Sequence, residues 1–63
     1  MENIESVCLI GQETGLIING ELYNADDFLW HMKDNEDCIL DTYYDEDILI
    51  VKTKDEIYKI EIA

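Results

Sequence analysis

The stretch IESVCLIG, residues 4–11, decides how this chain is read. Glu5 and Ser6 stand immediately before an unbroken apolar run, Val7-Cys8-Leu9-Ile10, and Gly11 closes it. Taken as a strand over residues 4–10, the run puts Val7 and Leu9 on one face, because side chains alternate along extended backbone. Glu5 and Ser6 then mark either a solvated sheet end or an edge offered to a partner.

Working outward, GQETG (11–15) predicts a turn, since its two glycines can adopt positive φ. LIINGELY (16–23) carries the most specific local signal, Asn19-Gly20 between apolar runs, the preferred centre of a two-residue type I′ hairpin. NADDFLWHMKDN (24–35) reads as one short helix. Asn24 can cap it, Asp26 and Asp27 suit the positive end of its dipole, Phe28, Leu29 and Met32 share a face, and Lys33 suits its last turn. Three strands follow, over 37–44, 47–53 and 56–63, joined by short turns at 45–47 and at Lys54-Asp55. In the last strand Ile57, Lys59 and Glu61 face away from Tyr58, Ile60 and Ile62. The expectation is a single α+β domain over 1–63: a small antiparallel sheet of about five strands, hairpin included, with one short helix packed on a face.

That arrangement leaves a problem of cover. ILIV (48–51), like VCLI (7–10), is apolar on both faces, and a strand buried on both sides needs something over each. Either the 16–23 hairpin folds over the second face, or apolar surface stays open as an interaction or homodimer site.

Composition narrows the function. The chain has 63 residues and a net charge of −12, distributed unevenly. Residues 1–47 hold every carboxylate except Asp55, Glu56 and Glu61, against one lysine, Lys33. A magnitude of about 2–8 suffices for solubility, so the excess points to use. Such a field repels nucleic acid and anionic membranes and steers basic surfaces inward. No run nears the ~20 apolar residues that cross a bilayer, and no basic-then-apolar leader opens the chain, so a cytoplasmic location is expected. There Cys8 and Cys38 are expected to be reduced, buried thiols.

Catalytic chemistry is hard to assemble. Ser6 and His31 are the only serine and histidine, and Ser6 lacks the glycine-flanked turn that exposes a nucleophile. The two cysteines and His31 lack zinc spacing, and Asp41, Asp45 and Asp47 lack both the loop glycine and the closing carboxylate of a calcium loop. The expectation is a binding protein without enzymatic activity, metal or cofactor.

Two segments carry a resemblance. Glu5-Ser6-Val7 before further large apolar residues, and Thr42-Tyr43-Tyr44-Asp45-Glu46 at a strand end, with the acidic helix DDFLWHM between them, are similar to the phage-encoded inhibitors of uracil-DNA glycosylase. The chain departs from that family in lacking helices ahead of the Glu-Ser segment and in inserting the hairpin region 11–23. The resemblance implies a DNA mimic acting in the host cytoplasm, with uracil-DNA glycosylase as its basic partner. The enzyme flips uracil from the duplex and fills the gap with an apolar side chain. Glu5 and Ser6 would hydrogen-bond its phosphate-gripping loops from an edge strand, with Val7 packed behind. Leu9, Phe28, Met32, Leu40, Leu49 and Val51 would line a pocket for the enzyme's protruding side chain, and Asp26, Asp27, Asp45, Glu46 and Asp47 would ring it as phosphate surrogates. Two other readings stay open: an acidic phage protein blocking a restriction or CRISPR effector, and a small structural or oligomerising module.

Overall fold

The computed structural model describes residues 2–63. Helix α1 (Glu2–Ile10) leads to strands β1 (Leu16–Ile18) and β2 (Glu21–Tyr23), and helix α2 (Ala25–Asp34) and a 3-10 turn (Glu36–Cys38) follow. Strands β3 (Ile39–Asp45), β4 (Ile48–Thr53) and β5 (Ile57–Ile62) complete the chain. All neighbouring strands are antiparallel, in the order β2-β1-β5-β4-β3, so the class is α+β with five strands. Among the described residues no helix is long and apolar enough to cross a membrane.

The expected strand at 4–10 is a helix, and the sheet has two helices over it rather than one. Short apolar runs satisfy both periods, and here the helical one wins. Ile4, Val7 and Cys8, spaced three and four apart, are the buried residues of α1, while Glu5, Ser6, Leu9 and Ile10 stay exposed. Glu2 and Glu5 fall in the first turn, where the helix dipole favours carboxylates. Gly11 ends the helix, its N–H donating to the Val7 carbonyl at 2.9 Å. A Cβ at Gly11 would lie 2.5 Å from Leu16 Cδ2, so any larger residue here would have to displace the buried Leu16 side chain.

Helix α2 follows the sequence. Asn24 Oδ1 accepts from the Asp26 and Asp27 amides at 2.9 and 3.2 Å, and Phe28 and Met32 are buried. The hairpin also forms as read, with Asn19 at φ 51° and Gly20 at φ 87°. Asn19 does more than turn the chain: its side chain accepts from the Lys59 amide at 2.9 Å and donates to the Ile57 carbonyl at 3.2 Å, tying the turn to β5.

Strand register settles the cover problem. The hairpin does not fold over the sheet; β1 pairs with β5 and extends it. Cross-strand partners share a face. Leu16 and Ile18, Ile60, and Leu49 and Val51 therefore point to the helices, where with Ile4, Val7, Cys8, Ala25, Phe28 and Met32 they form the core. Ile48 and Ile50 point the other way, onto a face that no helix among the described residues covers; Ile48 is half-buried there and Ile50 is only 7% exposed. The outward alternation of Ile57, Lys59 and Glu61 against Tyr58 and Ile60 holds through this register.

Candidate functional site

The pocket expected between helix and sheet is filled from within. Phe28, Met32, Leu49 and Val51 do meet, but Ile4, Val7 and Cys8 of α1 pack into the same space, and all seven belong to the core. Leu9 and Leu40 lie outside it, 68% and 65% exposed. Leu9 is on the outer side of α1, and Leu40 occupies a bulge where the register between β3 and β4 shifts. Glu5 and Ser6 are exposed on a helix, where backbone amides and carbonyls bond within the helix and cannot offer a strand edge. The edge strand at 5–7 and the open hollow are thus both absent, because one segment expected to extend the sheet instead covers it.

The carboxylates fare differently. All sixteen are exposed, and the described residues include no buried polar or charged side chain. Asp26 and Asp27 open α2 just beyond the end of β2, and Asp45, Glu46 and Asp47 form the turn between β3 and β4. Antiparallel order puts the α2 start, the β3–β4 turn and Glu13 of the 11–15 loop at one end of the sheet, reached from its opposite edges. Glu46 takes φ 58°, which projects its side chain from a two-residue turn. Among the described residues no group of three His, Cys, Asp or Glu side chains is arranged to hold a metal ion. Both cysteines are free; Cys8 is buried, which pushes its thiol up to about 11 with Asp26 adding to the shift, and Cys38 is half-buried.

A concavity the sequence reading missed opens between α2 and the β2-β1-β5 side of the sheet. This cleft of about 390 Å³ is lined by Ile18, Tyr23, Asp27, Phe28, His31, Glu56 and Tyr58. Of the residues expected to surround a pocket, it shares only Asp27 and Phe28. The Phe28 and Tyr58 rings meet edge to face, 6.0 Å between centroids and 71° between planes. Tyr23 donates its hydroxyl to Glu21 Oε2 at 3.0 Å, and that bond is the main reason its phenol is held above the ordinary range, with Glu56 contributing. Tyr58 is pushed up to about 12, first by burial and then by the Glu56 carboxylate beside its hydroxyl. Negative potential thus converges on an aromatic wall, an arrangement suited to a cation. The signal for it lies in the alternation of β5 and the hairpin register, which set Tyr58 and Tyr23 on the helix side.

Compared with known protein families, with curated proteins and with solved structures, the chain matches none.

Proposed function

We propose that this chain is a non-catalytic acidic protein that occupies the nucleic-acid-binding surface of a basic protein partner. The observation that carries the reading is that all sixteen carboxylates are at the surface, far more than solubility requires. Duplex DNA presents one negative charge per ~1.7 Å of axis, and a basic cleft evolved for that density is the natural complement of such a surface. The aromatic cleft supplies an anchor. A lysine or arginine head seated against Tyr23, Phe28 and Tyr58 gains about 0.5–2 kcal/mol from the rings, and Asp27 and Glu56 flank it.

Uracil-DNA glycosylase is the partner to assay first, because the Glu5-Ser6-Val7 and Thr42–Glu46 segments resemble its inhibitors. Docking would then use the carboxylates and the cleft, not an edge strand at 5–7. Fluorescence anisotropy of the labelled chain against the glycosylase tests this, with a basic protein that binds no nucleic acid as control for bulk charge. Binding well above the control, displaced by duplex DNA, weakened by salt and weakened again by Tyr23→Ala with Glu56→Gln, supports the proposal. Affinity no better than the control removes the glycosylase as target.

A further inference from the structure

We propose that the outer face of the sheet is a homodimer interface, distinct from the acidic surface that would meet a basic partner except at Asp45, which borders both. Register defines that face. It is built from Ile17 of β1, Leu22 of β2, Asp41, Tyr43 and Asp45 of β3, Ile48, Ile50 and Lys52 of β4, and Ile57, Lys59 and Glu61 of β5. Of its apolar residues Leu22, Ile57 and Tyr43 are 71%, 51% and 40% exposed, Ile17 and Ile48 are half-buried and Ile50 is buried, and among the described residues no helix lies over them.

Charge names the occupant. Two of the four lysines, Lys52 and Lys59, lie on this face against three carboxylates, Asp41, Asp45 and Glu61, so it carries one net negative charge. The other two lysines and thirteen carboxylates put the remaining −11 elsewhere on the molecule. A second copy approaching another side meets that field head on; here two chains of −12 meet across a nearly neutral patch, with the repulsion of the rest acting from farther away. The mosaic is also self-complementary. Lys52 sits opposite Asp41 and Lys59 lies two residues from Glu61, so a two-fold axis can set each lysine near a carboxylate of the other copy while the exposed Leu22 and Ile57 meet between them. Lys52 Nζ already lies 5.4 Å from the Tyr43 ring centre, which holds its stem flat along the face.

The size of the molecule limits the dimer to a weak one. Extents of 28 × 24 × 20 Å cap any one side at roughly 670 Å² per copy, below the ~800 Å² per partner of a standard interface.

The repulsion of the remaining charges gives the dimer an unusual salt dependence. Screening weakens that long-range term more than the apolar contact, so association tightens as salt rises. Docking on a basic partner does the reverse, and the two interactions are separable in one experiment series. Sedimentation velocity of the full chain from 5 to 500 µM, in about 20 mM and about 500 mM NaCl, is the test. The expected result is a monomer–dimer equilibrium that tightens severalfold at high salt, and at least tenfold loss of dimer in Leu22→Glu with Ile57→Glu, with unchanged circular dichroism. Both positions are exposed, so the variant folds. A chain monomeric at 500 µM in high salt, a dimer that weakens with salt, or a dimer that survives the double substitution overturns the proposal.

Discussion

The helical reading of residues 2–10 can be tested by three alanine substitutions whose ranking differs between helix and strand. Ile4 is 0% exposed and Val7 5%, whereas Leu9 is 68% exposed. Burying a methyl or methylene group is worth about 0.8 kcal/mol, and an unfilled cavity adds to its loss. Val7→Ala removes two buried methyls, for about 2 kcal/mol with a small cavity, and the better helix propensity of alanine returns about 0.5 kcal/mol. The net loss is about 1.5 kcal/mol. Ile4→Ala removes more and should cost about 3 kcal/mol. Leu9→Ala removes a side chain only a third buried, and its cost is about 0.5 kcal/mol. At ~0.05–0.15 kcal/mol per residue a domain of this size has about 3–9 kcal/mol in all, so Ile4→Ala approaches global unfolding. Urea denaturation followed by far-UV circular dichroism reads the series. With a slope near 1 kcal/mol per M, Val7→Ala should lower the midpoint by about 1.5 M and Leu9→Ala by about 0.5 M. In a strand Val7 and Leu9 would share a face and cost alike. A Leu9→Ala loss equal to or above that of Val7→Ala refutes the reasoning.

Asn19→Ala removes two hydrogen bonds to β5 and places alanine at φ 51°; the expected loss is about 2 kcal/mol by the same assay, with Asn19→Asp, which keeps the acceptor to Lys59, losing less. Thiol titration with an aromatic disulfide should find Cys38 reacting in the folded protein and Cys8 only after unfolding, because burial holds the Cys8 thiol at about 11; two equally fast thiols would contradict its burial. Alkaline stability follows from the same shifts. Cys8 and Tyr58 have folded values raised to about 11 and about 12 from 9.0 and 10.0, so they favour the folded state fully below pH 9 and 10 and lose that contribution as pH rises through 11 and 12. The urea midpoint should stay flat to about pH 8.5 and then fall, and Tyr58→Phe should remove the later part of that fall.

The elements with local chemical signatures were legible in the sequence. Asn24 before Asp26 and Asp27 announced α2, Asn19-Gly20 announced the hairpin, and the alternation of residues 57–62 gave the two faces of β5. Residues 4–10 were not, since Val7-Cys8-Leu9-Ile10 fits either period and the choice depends on a tertiary fact. The sheet face bearing Leu49, Val51 and Ile60 needed more cover than α2 alone provides, and α1 supplies it. The missing cover was itself readable as a deficit, but the two answers it suggested, a folded-over hairpin or open apolar surface, did not include a second helix, and the resemblance put a hollow where that helix lies. That error displaced the candidate site: Leu49 and Val51, placed at a binding hollow, are ordinary core, and the cleft around Tyr23 and Tyr58 emerges only once α2 is set against β5. The surface charge, by contrast, is independent of fold, and its exposure follows from the cost of burying any unpaired carboxylate.

The proposal turns first on this charge serving as a recognition surface for the DNA-binding cleft of uracil-DNA glycosylase. Titrating the pure chain into a uracil-excision assay at low ionic strength tests it most directly. The account predicts that excision falls in proportion to the chain added and recovers as salt is raised. Undiminished excision at a hundredfold excess of the chain would contradict it.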